Sequence, residues 1–426
     1  ILIGRLFLLQ IVYHKEYVTL AAKQHRLVQE IFPERGNIYA HDKNGSPVPL
    51  ATNQTLRTLV ISPKDIKNSE QITSILSTEF NIDANEIKEK IARQDDPYEI
   101  LLKKLDVRST ERIEALNLPG VYFEEKKRRI YPHDALSAHV LGFVSEDAGN
   151  ETGQYGLEKM YENRLNGELG FFEGVRDAAG FLVAIGKKIV HPPKNGYDLF
   201  LTVDYNIQQK TEETLEELKK RWNPASASAL VIEPKTGEVL ALAHIPAFNP
   251  NAFGQEKDLS VFLNPLVQSM YELGSVVKPV TMAIGIEEGV VTPQSTYYDS
   301  GELRINGYRI KNFDEKAYHT QTMTQVLEKS LNTGVVHVSR LTGKEKFVQY
   351  LKQFGFGAQT GIDLPGEILG DISNLKNKRD IDFATASFGQ GIAVTPIQLA
   401  SAIGAIANKG VLMKPFMVKK ISDDSG

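Results

Sequence analysis

Apolar residues dominate the first stretch of the chain, Ile1-Leu2-Ile3-Gly4-Arg5-Leu6-Phe7-Leu8-Leu9-Gln10-Ile11-Val12-Tyr13, and a helical pattern follows over residues 14–31. The run is shorter than the roughly 20 residues that cross a bilayer as a helix, and it lacks the basic flank of an intact signal peptide. It reads either as a buried amphipathic helix or as the exit end of a membrane anchor, with Arg5 near an interface where a charge is tolerable. Pro33-Glu34-Arg35-Gly36-Asn37-Ile38-Tyr39, followed by Asp42-Lys43-Asn44-Gly45, predicts a strand pair whose Asn-Gly turn supplies the positive-φ positions. Residues 69–119 are charged and helix-rich, interrupted at Asp95-Asp96-Pro97 and Leu118-Pro119-Gly120. Residues 145–180 are glycine-rich and irregular.

The pattern changes register near Pro192-Pro193-Lys194-Asn195-Gly196. Leu199-Phe200-Leu201-Thr202-Val203 is strand-like, and a helix carrying Gln208, Lys210, Glu213, Leu215 and Leu218 runs on to Trp222. Two further strands, Ala227–Ile232 and Glu238–Ala243, flank Pro234-Lys235-Thr236-Gly237 and predict a hairpin. Glycine-bounded helices dominate from there onward. Strands first and helices afterwards indicate an antiparallel sheet with helices packed against it, an α+β arrangement.

A chain of 426 residues exceeds one ordinary core and implies two or three domains. Its 49 basic residues are balanced by 53 acidic ones, which argues against a nucleic-acid surface. The run Lys126-Lys127-Arg128-Arg129 then reads as a solvated face. The absence of cysteine excludes thiol catalysis, disulfides and cysteine metal sites without fixing a compartment. His133 and His139 stand alone and read as structural residues, so neither a metal nor an organic cofactor is indicated.

Chemistry concentrates in Gly274-Ser275-Val276-Val277-Lys278-Pro279. A serine hydroxyl needs a neighbour to take its proton, and a lysine three residues on shares its helical face. If that amine is screened from water, it loses its proton near neutrality and serves as the base. Pro279 is compatible with a helix only if the helix begins near Ser275, which sets the Ser275 amide at the positive helix end, where it can stabilise an oxyanion. Ser330-Leu331-Asn332-Thr333-Gly334 adds a hydroxyl and an amide, although alone it also reads as a capped turn between helices.

Ser275-Val276-Val277-Lys278 together with Ser330-Leu331-Asn332 resembles the first two active-site motifs of the penicillin-binding transpeptidases. The surroundings are similar to the class B, high-molecular-mass branch: Arg35-Gly36-Asn37-Ile38, Arg129-Ile130-Tyr131-Pro132, Gly153-Gln154-Tyr155-Gly156-Leu157-Glu158, Thr360-Gly361-Ile362-Asp363-Leu364-Pro365-Gly366-Glu367, and Gly389-Gln390-Gly391 with Thr395, Pro396 and Gln398. The first motif departs slightly, since Leu273 and Val277 stand where this branch often has a proline and an aromatic. The resemblance implies Ser275 as acylated nucleophile, Lys278 as base, Ser330 as proton shuttle and Asn332 as the amide that binds a stem peptide or a β-lactam. It implies a transpeptidase domain over 196–426, an elongated mixed α/β pedestal of the dimerisation type over 14–195, and an anchor ending at residues 1–13. Cross-linking of peptidoglycan on the outer face of the cell membrane follows from the same resemblance, with other cell-wall synthesis or division proteins, a glycosyltransferase among them, as partners.

The family's third motif, Lys-Thr/Ser-Gly, follows the Ser-x-Asn element on a cleft strand. Lys235-Thr236-Gly237 has the right letters but precedes Ser275 and belongs to a hairpin turn, while Thr342-Gly343-Lys344 is scrambled and Thr360-Gly361 lacks the lysine. The expectation is a transpeptidase domain cut short before that strand. The nearest alternatives are a D,D-carboxypeptidase or β-lactamase-like hydrolase, and a catalytically silent scaffold or β-lactam sensor. The 426-residue chain is expected to be acylated poorly by penicillin, and a C-terminally completed one to be labelled at Ser275. Mass spectrometry after β-lactam treatment checks this, and strong labelling of the shorter chain overturns it.

Overall fold

Strand pairing and helix packing divide the chain into two units, one of segments 1–35, 51–130 and 168–194 and the other of segments 36–50, 131–167 and 195–426. A computed structural model describes residues 26–96, 98–147, 150–176, 182–183 and 189–423. The apolar run at residues 1–13 lies outside the described residues. Among the described residues, no helix is long and apolar enough to cross a membrane.

In the first unit, residues 52–61 pair antiparallel with Val121–Ile130, and residues 56–61 pair antiparallel with Glu99–Asp106 on the opposite edge. Helices Ser69–Phe80 and Ala84–Ile91 join the sheet in one core of Leu59, Ile61, Ile72, Leu76, Ile87 and Leu101. Asn68 and Asp83 start these helices by accepting the Gln71 and Asn85 amides, which otherwise have no partner. One expectation is corrected here. Arg26–Ile31, the end of the helix expected over 14–31, is a strand antiparallel to Gly170–Arg176, because a partner strand satisfies its backbone where a short helix end would fray. Glu99–Asp106, inside the helix-rich stretch, is likewise drawn into the sheet by an available edge.

The second unit holds the hairpin predicted around Asp42-Lys43-Asn44-Gly45. Only Gly45 of the Asn-Gly pair takes a positive φ, of 81°, while the Asp42 carboxylate accepts the Asn44 and Ser46 amides and closes the turn from its other side. Asp198–Asp204 runs parallel to Ile38–His41 and antiparallel to Val418–Ser422. The glycine-rich region is more regular than its composition suggests, since Phe143–Asp147 and Asn150–Gln154 form an antiparallel pair.

Helix Tyr205–Trp222 starts at the Asp204 cap, and its buried Gln208 both donates to and accepts from the Leu242 backbone, each at 2.9 Å. That amide acts as a fragment of backbone, fastening the helix to strand Val239–Ile245. The strand pairs antiparallel with Ala227–Ile232, as expected, and Gly237 turns the hairpin at φ 85° with Lys235 exposed. Buried Thr202 donates to the Val239 carbonyl at 2.8 Å and joins the hairpin to the Asp198–Asp204 strand. The architecture is α+β, with mostly antiparallel strands and packed helices, in two compact units.

Asp363 secures the last described strand. Its Oδ1 accepts the Met417 amide at 2.6 Å, and its Oδ2 accepts the Val418 amide at 2.8 Å and the Tyr161 hydroxyl at 3.0 Å. Bonds to a charged acceptor are worth about 1.5–3 kcal/mol, and removing it orphans three donors together. Asp363→Ala is therefore expected to lower stability by about 2–3 kcal/mol, read as a shift in the urea unfolding midpoint.

Candidate active site

Helix Lys278–Glu287 is apolar nearly all round, so it lies between two cores. Met282 joins one with Tyr297, Val326 and Val335, while Val280 and Ile284 join the other with Phe347 and Phe383. Gly285 allows a neighbouring helix, Asn332–Thr342, to approach, because a Cβ there would meet the Val338 side chain at 2.4 Å. A 3-10 turn over Gly274–Val277 precedes the helix and is closed by the Lys278 amide donating to the Ser275 carbonyl. Pro279 falls in the first helical turn, where a missing amide costs nothing, as the sequence required. Ser275 thus stands exposed in the entry turn and Lys278 is the first residue of the helix proper, only 2 % exposed.

The segment Gly389–Val394 braces this turn. The Gly274 amide donates to the Gly389 carbonyl at 3.0 Å, Tyr271 and Val394 exchange backbone bonds at 3.0 Å, and the Gly391 amide donates to Glu272 at 3.1 Å. A Cβ on Gly389 would meet the Gly274 carbonyl at 2.3 Å, so only glycine fits where the Gly274–Val277 turn lies against this segment.

Ser330 reaches Lys278 through a helix ending. Helix Met323–Glu328 finishes with the Leu331 amide donating to the Val326 carbonyl at 2.9 Å and the Ser330 amide to the Leu327 carbonyl at 3.1 Å. This is a Schellman closure, and Ser330 holds its left-handed position at φ 55°, where glycine is the usual residue. Leu331 and Val326 share a core and anchor the closure. The expected turn between helices is therefore real, and it is also what delivers the hydroxyl.

The Lys278 Nζ donates to the Ser330 carbonyl at 2.6 Å and to the Ser330 Oγ at 2.9 Å. Burial lowers the Lys278 pKa from 10.5 to about 8, because a charged ammonium there forfeits its water. Asn332, the first residue of its helix, donates from Nδ2 to the Lys311 carbonyl at 2.7 Å. It lines a cavity of about 380 Å³ with Lys311, Asn374, Arg379, Thr385 and Gln390. Neither Asn374 nor Thr385 carried a signal in the sequence. A larger, mainly apolar cavity of about 550 Å³ beside Ile284, Tyr350 and Phe354 contains none of Ser275, Lys278, Ser330 or Asn332. Among the described residues, no cluster of ligands able to hold a metal is found. His139 is buried, its Nε2 meeting the Val261 carbonyl at 3.0 Å and its pKa lowered to about 4 chiefly by that burial.

The structure thus sets Ser275 in a helix-entry turn and bonds the buried Lys278 to Ser330, and the comparisons with known proteins bear on that arrangement. The chain belongs to the class B high-molecular-mass penicillin-binding proteins. Residues 227–425 match the penicillin binding protein transpeptidase domain, and residues 30–201 match the penicillin-binding protein dimerisation domain. It is 35 % identical to Stage V sporulation protein D of Bacillus subtilis over 92 % of this chain and 60 % of that protein. It is 30 % identical to the peptidoglycan D,D-transpeptidase MrdA of Acinetobacter baumannii over 98 % of this chain and 67 % of the relative. Penicillin binding protein 2X from Streptococcus thermophilus shares the fold, with a TM-score of 0.78 at 23 % identity over 94 % of this chain and 62 % of that one. The chain thus spans about three fifths to two thirds of the length of these proteins.

The left-handed conformation of Ser330 costs roughly 1 kcal/mol relative to glycine, and the closure anchored by Leu331 and Val326 holds it. Ser330→Gly and Ser330→Ala both lose the hydroxyl, but only alanine retains the strain. The glycine variant is expected to be the more stable by about 1 kcal/mol, while both variants of the intact protein are acylated more slowly by penicillin. Denaturant midpoints and acylation kinetics check the two halves separately. Lys235→Ala, in the exposed hairpin turn, is expected to leave acylation unchanged.

Proposed function

We propose that this chain carries the acyl-transfer site of a peptidoglycan D,D-transpeptidase, acting on the D-Ala-D-Ala end of stem peptides and trapped by β-lactams. One observation carries the reading: a lysine buried against the second serine, with its pKa brought down to about 8. Ser275 Oγ attacks the carbonyl carbon between the two D-alanines, and the neutral Lys278 amine takes the hydroxyl proton. The Ser275 amide supports the oxyanion. The C–N bond breaks as the leaving D-alanine amine receives that proton from Lys278 by way of Ser330. An amine on a second stem peptide then attacks the ester, the C–O bond to Ser275 breaks, and the proton returns to the serine through the same relay. Asn332 holds the peptide amide throughout.

Within this reading residues 196–426 form the transpeptidase domain, 14–195 the pedestal and 1–13 the end of a membrane anchor, with the site on the outer face of the membrane. Cell-wall synthesis and division proteins are its partners. Support comes from the matches to two penicillin-binding domains and from a relative whose name is peptidoglycan D,D-transpeptidase.

A pKa of about 8 leaves about a tenth of the lysine neutral at pH 7, some two orders of magnitude more than an unshifted lysine has. Because the neutral form is the base, the acylation rate of the intact protein is expected to rise with pH and level off above about 8. Between about 8 and 10.5 the unfolded chain binds the Lys278 proton and the folded one does not, so this residue's contribution to stability grows as pH rises through that window. Stopped-flow acylation with a soluble penicillin gives the profile, and mass spectrometry locates the adduct. A profile flat from pH 6 to 9, or an adduct on a residue other than Ser275, overturns the reading. Product analysis with and without an amine acceptor separates transpeptidation from hydrolysis.

A further inference from the structure

Asp299 is a carboxylate with 0 % exposure, buried beneath the turn that carries Asn332. Neutral donors satisfy it. Its Oδ1 accepts the Thr333 hydroxyl at 2.7 Å and the Gly301 amide at 3.0 Å, and its Oδ2 accepts the Asn312 side chain and the Tyr318 amide, both at 2.9 Å. Donors from four residues replace the water that a buried carboxyl group gives up.

The identity of two of those donors gives the arrangement its meaning. Thr333 follows Asn332 in the chain, and Asn312 follows Lys311, whose carbonyl accepts the Asn332 amide at 2.7 Å. Asp299 therefore grips both sides of the Asn332–Lys311 bond, one residue beyond each partner. The two sides also meet directly, since Thr333 donates its backbone amide to Asn312 Oδ1 at 3.4 Å. Tyr297 adds its hydroxyl to Thr333 Oγ1 at 3.1 Å. With one N–H committed to Lys311, Asn332 retains its carbonyl oxygen and its other N–H in a fixed orientation beside the 380 Å³ cavity.

We infer that Asp299 is a positioning residue of this site: by clamping Thr333 and Asn312 it fixes the side-chain amide of Asn332 in the orientation that binds the peptide bond of the substrate. The inference rests on the assignment of Asn332 as the substrate-holding amide. Orientation of this kind governs rate because a misaligned hydrogen bond contributes little in the transition state.

A double-mutant cycle on the intact protein tests it, with the second-order rate constant for acylation by a soluble penicillin as the readout. Asp299→Asn keeps the volume but presents an NH₂ to one pair of donors, and is expected to slow acylation about tenfold. Asn332→Ala is expected to slow it at least as much, and adding Asp299→Asn to Asn332→Ala to cause no further loss. If the two losses multiply, Asp299 acts on the site generally and the inference fails while the Asn332 assignment stands. If Asn332→Ala alone leaves acylation unchanged, the assignment fails and the inference falls with it. A fold-independent pair completes the test should Asp299→Asn not fold: Thr333→Ser keeps the donor and is expected to keep the rate, whereas Thr333→Val is expected to reproduce the tenfold loss. Equal rates for serine and valine overturn the inference.

Discussion

Lys278 keeps its amine where water does not solvate it, and the surrounding helices are arranged to make that tolerable. A buried ammonium is expensive, and the two bonds it donates to the Ser330 carbonyl and hydroxyl return only part of the cost. The imbalance is useful. It lowers the pKa to about 8, so the amine is available as a base near neutrality without a neighbouring carboxylate or metal to activate it. Burial is the cause of the shift, which makes the chemistry dependent on packing. Anything that lets water reach this amine returns it towards an ordinary, charged lysine.

Packing in turn depends on where the Lys278–Glu287 helix sits. It lies between two cores, with Met282 in one and Val280 and Ile284 in the other, and its Gly285 lets the Asn332–Thr342 helix come close. The Ser275–Lys278 and Ser330–Asn332 segments lie at the starts of these two helices. Close packing of the helices brings the motifs within hydrogen-bonding distance although they are far apart in sequence. The left-handed Ser330 completes the approach, since a right-handed residue there would extend the Met323–Glu328 helix rather than turn its hydroxyl and carbonyl to Lys278.

Much of this was legible because it is local. Pro279 demanded a helix start, and the structure has one there; Ser275 and Lys278 are related by one helical turn, which sequence spacing reveals directly. Lys235-Thr236-Gly237 was separable from a true cleft motif because it precedes Ser275 and sits between two strands, and it forms a hairpin turn with Lys235 exposed. Other features are not local and left no trace. Arg26–Ile31 and Glu99–Asp106 become strands because distant edges are available to them. Asp299 carried no signal in the sequence. Its carboxylate acquires significance only when Asn312, Tyr318 and Thr333 converge on it from three places in the chain.

The pairing of Lys278 with a remote Asp299 also resolves a conflict between organisation and reactivity. A carboxylate is the strongest acceptor available for fixing a polar loop, but one placed beside Lys278 would stabilise the ammonium and raise the pKa that burial has lowered. Here the negative charge is satisfied by amides and a hydroxyl, and its hold on Asn332 passes through Thr333, Asn312 and the Lys311 carbonyl. Burial is the cause of the Lys278 shift. The site thus keeps a strong acceptor for geometry and a weakly basic amine for chemistry by assigning them to separate shells of neutral donors and acceptors. A second carboxylate placed next to Ser330 would stabilise the Lys278 ammonium and leave less of the amine neutral at a given pH.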